Sequence, residues 1–261
     1  MKIDREAYTA HIKDKDKLLD IRKIIDKIEI VIRNHVTEST DFLDPYERYL
    51  AKSVLNRFME IDYLESGGIS TAERKCMVVF PSYCDASIVP ECLTFLRIEG
   101  DLEGLTHKDY LGGILGLGIK RSKVGDILVH EAHTDIILKE EISGFIQINL
   151  EKIGNRKVTI EEITSSQLEE PEIFYKEIKK TLSSYRLDVY LSAAYNLSRQ
   201  ESLSLIKSGY VKVNWEPINK NSKELIIGDI ISVRGYGRSI LHSVEGVSKK
   251  GRIIANIRLI L

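Results

Sequence analysis

Cysteine is scarce in this 261-residue chain. Cys76, Cys84 and Cys92 make an odd number, and their eight-residue spacings match neither a zinc knuckle nor a paired-thiol motif. A disulfide framework is thereby excluded, and reduced, mostly buried thiols are expected. Long apolar runs are absent as well, since no stretch approaches the roughly 18 residues of a membrane span. The N-terminal "MKIDREAYTAHIKDKDK" has no apolar core of a signal peptide. A cytoplasmic protein with no membrane partner is expected. Internal repeats and low-complexity segments are also missing.

With 43% hydrophobic and 30% charged residues, the composition is that of an ordinary globular protein long enough for two or three small domains. The net charge of −1 conceals a division. Residues 183–261 hold twelve Lys and Arg against six Asp and Glu, a net +6, which leaves −7 on residues 1–182. A basic tail on an acidic chain suggests a polyanionic partner met through the C-terminal part.

The pattern predicts an α+β, multidomain chain. Residues 1–72 read as a helical domain. In "KLLDIRKIIDKIEIVIRN", Leu18, Ile21, Ile25, Ile28 and Ile32 recur at helical spacing, and "TDFLDPYERYL" offers Asp44 as a cap, Pro45 in the first turn and Glu47 to close a capping box. Residues 73–182 read as an α+β domain, with strand-like "CMVVF", "LTFLRIEG", "DILVH" and "DIILK" and helix-like "HKDYLGGILGLG" and "EISGFIQINLEKI". Within 156–182, "KVTIEEIT" reads as a strand, while "PEIFYKEIKKTLSSY" fits a strand or a helix equally. Residues 183–261 read as two short helices followed by a small sheet, with a final hairpin around "SKKG".

Several motifs are near misses. "HEAH" spaces His130 and His133 three apart, whereas the helical zinc-protease signature needs four, so no metal is expected. "GGILGLGIKRS" lacks the ending of a phosphate-binding loop, and close helix–sheet packing accounts better for its glycines. Lys120, Arg121 and Lys123 just beyond it are secondary candidates for phosphate contact. "RLD", Arg186 to Asp188, is similar to the triplet around the catalytic aspartate of pseudouridine synthases, but the remaining chain is too short for their catalytic sheet. No nucleophile–base constellation, cofactor motif or small-molecule site is identifiable. His107, Asp109 and Asp126 are the polar residues an enzyme would use.

The tail carries the sharpest signal. Ser198 and Glu201 form a capping box and Gly209 supplies a left-handed stop, yet Arg199 places a cation in the first helical turn, where the dipole disfavours it. Arg186 opens the preceding helix, so two cations stand near helix N-termini, where a phosphate would satisfy both. Lys207 and Lys212 flank Gly209, and Arg234 and Arg238 bracket the glycines of "RGYG". Val211 and Val213 point inward, leaving Lys212 and Asn214 outward. Trp215 fits base stacking or partial burial equally.

The run "YRLDVYLSAAYNLSRQESLSLIKSGYVKVN" with "GDIISVRGYGR" resembles the RNA-binding domain named after small-subunit ribosomal protein S four, through Arg186-Leu187-Asp188, Ser198-Arg199, Gly209, Val213-Asn214, Gly228-Asp229 and Arg234-Gly235. Trp215 departs from that pattern, which has glycine there. With "FLDPYERYL", "GGISTAER" and "LTHKDYLGGILGLGIKRSKVGDI", the whole chain resembles the YlmH family, whose middle domain is related to RNA-recognition folds. The resemblance implies a non-enzymatic RNA-binding factor on the ribosome, with rRNA and tRNA as partners, a role on stalled large subunits carrying peptidyl-tRNA, and a link to cell division. Two other readings stay open. One is an RNA-modifying or RNA-processing enzyme with the tail as its delivery domain. The other is an interaction adaptor whose acidic N-terminal part docks partners.

Overall fold

A computed structural model describes residues 3–261. Two compact units divide the chain, one ending at Pro171 and one running from Glu172 to Leu261.

The first unit begins with α1 (Arg5–Thr9), α2 (Lys15–Asn34), β1 (Glu38–Ser39), α3 (Pro45–Leu55), β2 (Ile61–Ser66) and β3 (Cys76–Pro81). The helical stripe of α2 buries Ile21, Ile25 and Ile28 completely. At α3, Asp44 accepts the Glu47 amide at 2.8 Å and the Glu47 carboxylate accepts the Asp44 amide at 2.7 Å, the reciprocal box read from the sequence. Both helices pack on a three-stranded sheet ordered β1-β3-β2. The all-helical reading of residues 1–72 thus captures α2 and α3 and omits a sheet. Its last strand, the fully buried β3, has the texture of any core strand, and nothing local says which sheet it joins.

The same unit continues through β4 (Leu93–Gly100), α4 (His107–Gly116), β5 (Val124–Val129), β6 (Thr134–Lys139), α5 (Glu140–Asn149), β7 (Lys152–Ile153) and β8 (Arg156–Ile163). Apart from the two-residue β7, which extends the sheet beyond β8, the order βαββαβ with sheet neighbours β5-β6-β4-β8 is the split βαβ arrangement of RNA-recognition folds. On one face Leu96, Ile98, Ile136 and Leu138 pack under α4 and α5. The opposite face carries Phe95, Leu128, Ile137 and Ile163, and these are covered by Phe42, Ile69 and Cys76 of the preceding segment. The approach is close. A Cβ on Gly68, whose φ is +83°, would lie 2.8 Å from the Phe95 ring, and one on Gly125 would lie 2.7 Å from the Phe42 ring. In and after α4 the glycines differ: a Cβ on Gly113 would lie 3.5 Å from Ile153 and 3.6 Å from Leu150, whereas Gly112, Gly116 and Gly118 face open space, so packing does not explain those three. Gly118 alone among these is required by its backbone, with φ +85°.

The second unit comprises β9 (Tyr175–Leu182), α6 (Leu187–Tyr195), α7 (Arg199–Lys207), β10 (Val211–Val213), β11 (Glu216–Pro217), β12 (Ile230–Val233), β13 (Gly237–Val247) and β14 (Ile253–Ile260). Its antiparallel sheet runs β11-β10-β12-β13-β14-β9. Leu187, Tyr190, Leu191 and Ile206 of the helices pack on Val211, Val213, Ile231, Val233, Leu241, Ala255 and Ile257. The segment left open between strand and helix is β9, which pairs with β14 along its whole length, from Ile260↔Tyr175 to Ile253↔Leu182. The tail unit therefore starts one strand before residue 183, because β9 finds its partner far along the chain rather than nearby.

Candidate nucleic-acid interface

Arg186 is the N-cap residue of α6, but its side chain does not cap. It reaches forward to Asp188 in the first turn, with Nε 3.0 Å from Oδ1 and Nη2 3.0 Å from Oδ2. Asp188 is fully buried in the first turn, where a negative charge complements the helix dipole. Arg199, in the first turn of α7, sets its Nε 3.5 Å from the same carboxylate while its side chain stays 71% exposed. Burial alone would raise the Asp188 carboxyl. The Arg186 fork and the Arg199 charge outweigh it and hold the group below the usual carboxylate range. The cation at the N-terminus of α7 is thus offset inside the domain, where the sequence suggested only a phosphate. Beside it lies a groove of about 360 Å³ lined by Thr181, Ser183, Val189, Ser192, Arg199 and Arg252. Arg252 escaped the sequence reading because it lies in the β13–β14 hairpin and has no local motif.

Lys207 is exposed at the far end of α7, about 12 Å along the axis from Arg199, and does not join this group. The sheet collects a second set. Lys212, Ser232 and Arg238 are successive cross-strand partners on β10, β12 and β13, on the face turned away from Val211, Val213, Ile231 and Val233. Arg238 lies 5.8 Å from the Trp215 ring centroid and Arg234 lies 5.1 Å from that of Tyr210, an aromatic the sequence reading passed over.

Asn214 is exposed by position but engaged by chemistry. Its Nδ2 donates to Asp229 at 2.7 Å and its Oδ1 accepts the Ile230 amide at 2.9 Å. Asn214 and Trp215 have φ of +49° and +66°, the two left-handed residues of a tight hairpin turn between β10 and β11. Trp215 therefore preserves the turn that glycine would make, at a backbone cost, with its ring against Arg238.

In the first unit the basic segment is mostly tied down. Lys123 pairs with Asp41 at 2.6 Å and Glu141 at 2.5 Å. Arg121 donates to the carbonyls of Val124 and Gly125, and burial, with Arg74 nearby, pushes it down to about 10. Lys120 is the exposed member. The residues an enzyme would use have structural tasks. The Asp109 carboxylate accepts from the Thr106 amide at 2.8 Å and hydroxyl at 2.6 Å, and Asp126 accepts the amides of Glu73 at 2.6 Å and Arg74 at 3.1 Å. Burial raises Asp126 despite those donors. His107 begins α4 and is exposed.

Comparison with known proteins gives three family matches along the chain. Residues 18–84 match the profile described as "YlmH, N-terminal", residues 95–167 match "Putative RNA-binding domain in YlmH", and residues 186–231 match "S4 domain". The chain is 33% identical over 244 residues to the ribosome-associated protein quality control protein P2 of Bacillus subtilis (strain 168), covering 91% of this chain and 93% of that one. Among solved structures it is similar to the cell division protein ylmH from Streptococcus pneumoniae, with a TM-score of 0.51 at 25% identity, over 60% of this chain and 96% of that one. With the Bacillus subtilis relative matched across nearly its whole length and the three domains in order, the chain belongs to the YlmH family and carries RNA-binding domains of the YlmH and S4 types.

Proposed function

We propose that the chain is a non-enzymatic factor that binds structured RNA, rRNA or tRNA, on the large ribosomal subunit and acts on stalled subunits that retain peptidyl-tRNA. The observation that carries this reading is the exposed Arg199 guanidinium beside Arg252 at a groove of the S4-type unit, within a segment of net charge +6. Exposed guanidinium groups near a helix N-terminus suit phosphate. The Lys212–Arg238 row with Trp215 offers a second surface for backbone and base contact. The name of the Bacillus subtilis relative supports the ribosome as the site of action. Asp109 and Asp126, both held by backbone amides or capping contacts, weigh against a catalytic role for them.

Crosslinking with sequencing of the bound RNA, alongside sedimentation with large subunits, tests the proposal. Recovery of rRNA and tRNA, and co-sedimentation that increases when subunits retain tRNA, is expected. Exclusive recovery in the free fractions at low salt would overturn it, and a protein partner without RNA would favour the division-linked adaptor.

A further inference from the structure

Away from the tail, the β5–β6 hairpin brings together three groups with metal-ligand chemistry. His130 and His133 close its turn, with the His130 amide donating to the His133 carbonyl at 3.0 Å. On a helix, residues three apart share a face but do not reproduce the four-residue spacing of the zinc-protease signature. Across a two-residue hairpin turn they are opposite neighbours, and Asp135, two residues beyond His133 on β6, returns to the same face. The spacing that rules out the helical zinc signature therefore says nothing against this geometry.

The imidazoles stack with centroids 4.6 Å apart. The Nε2 atoms of both are buried without a hydrogen-bond partner among the described residues, an arrangement that leaves two polar atoms unsatisfied. His133 Nε2 stands 3.6 Å from Asp135 Oδ2, and one donor atom from each of the three residues lies within 4.8 Å of the others. Around a tetrahedral ion with bonds of about 2.0–2.1 Å, donor atoms sit roughly 3.4 Å apart. His133 and Asp135 already meet that spacing, and a ring rotation brings in His130.

Asp135 is fully buried and held by Arg97 on β4, Nε to Oδ1 at 2.8 Å and Nη2 to Oδ2 at 2.8 Å, with Arg97 Nη2 also donating to the Gln167 carbonyl at 3.0 Å. A carboxylate keeps further lone pairs after a bidentate contact, and a donor behind it fixes its orientation. The guanidinium charge lowers cation affinity without blocking the site.

We propose that His130, His133 and Asp135 form a binding site for a divalent transition-metal ion of the zinc type. Imidazole nitrogen and carboxylate oxygen are the donors such ions take, and no thiolate is involved.

The test uses the full chain with Zn²⁺ by calorimetry and Co²⁺ by absorption spectroscopy. One equivalent per chain is expected, with a cobalt spectrum of nitrogen and oxygen ligation. His130→Gln and His133→Gln should each weaken binding by at least about tenfold, with circular dichroism unchanged. No binding by the parent chain, or unchanged binding by the double variant, would overturn the proposal. So would a sulfur-to-cobalt charge-transfer band in the parent, which reads the site directly even where a variant misfolds.

Discussion

The Arg186 guanidinium closes a two-pronged pair on the Asp188 carboxylate, 3.0 Å through each arm, and the carboxylate has no exposed surface. Because the folded carboxyl titrates below its unfolded range, its contribution to stability is complete above the ordinary carboxylate pKa of about 4 and is lost as pH falls below it. The melting temperature of the tail unit should therefore fall on acidification through that window. Asp188→Asn should be less stable at neutral pH and should show a flatter acid limb. An equally steep limb in the variant would assign acid sensitivity elsewhere.

Arg199 and Ser198 make an opposed pair. Ser198 Oγ accepts the Glu201 amide at 3.2 Å, so Ser198→Ala should cost about 1 kcal/mol of stability with little direct effect on RNA. Arg199→Ala loses a 3.5 Å ion pair whose guanidinium is exposed, worth at most about 1 kcal/mol, and leaves the buried Asp188 carboxylate paired with Arg186. It should weaken RNA binding by about 1.5–3 kcal/mol and reduce the salt slope by roughly one unit. Thermal melts and RNA titrations between about 50 and 200 mM salt separate the two. Unchanged RNA affinity in Arg199→Ala would remove it from the interface.

The hairpin turn at Asn214–Trp215 gives a third contrast. Trp215→Gly relieves a left-handed residue by about 1–2 kcal/mol and forfeits the ring beside Arg238, so stability should change little while RNA affinity falls if the ring stacks a base. Asn214→Ala removes the donor to Asp229 Oδ1 and the acceptor of the Ile230 amide and should cost about 1–3 kcal/mol. Melting curves rank the two variants.

Gly68→Ala should destabilise the first unit by about 1–3 kcal/mol, since its Cβ would press on Phe95 and Ile137 at a positive φ. An unchanged melting temperature would mean that the segment over the sheet yields easily.

A fragment of residues 172–261 should be monomeric and cooperative. A fragment of residues 183–261 loses β9 and leaves the eight-residue β14 as an open edge, which invites association. Light scattering on the pair decides it.

Much of this architecture was legible. The α2 stripe, the Asp44–Glu47 and Ser198–Glu201 boxes, the βαββαβ order and the S4-type run are local patterns that tertiary structure left intact. What escaped depends on partners distant in sequence. β3 and β9 are strands whose sheet is chosen by residues elsewhere, and Arg252 reaches the Arg199 groove only through the β13–β14 hairpin. Charge pattern alone did not distinguish Arg121 and Lys123, held by carbonyls and carboxylates, from Lys120, which is exposed.

The covering of Phe95 and Ile137 by Phe42, Ile69 and Cys76 has a consequence for what kind of information this chain can take from RNA. An RNA-recognition sheet spells out nucleotides by stacking unpaired bases on its open face. Here the centre of that face is turned to protein, so any contact the middle domain makes with RNA runs through its helices, loops and strand edges. Where such contacts fall on phosphate and sugar they position RNA without reading its sequence, and the covered sheet centre is closed to the stacking by which an open sheet of this kind distinguishes bases.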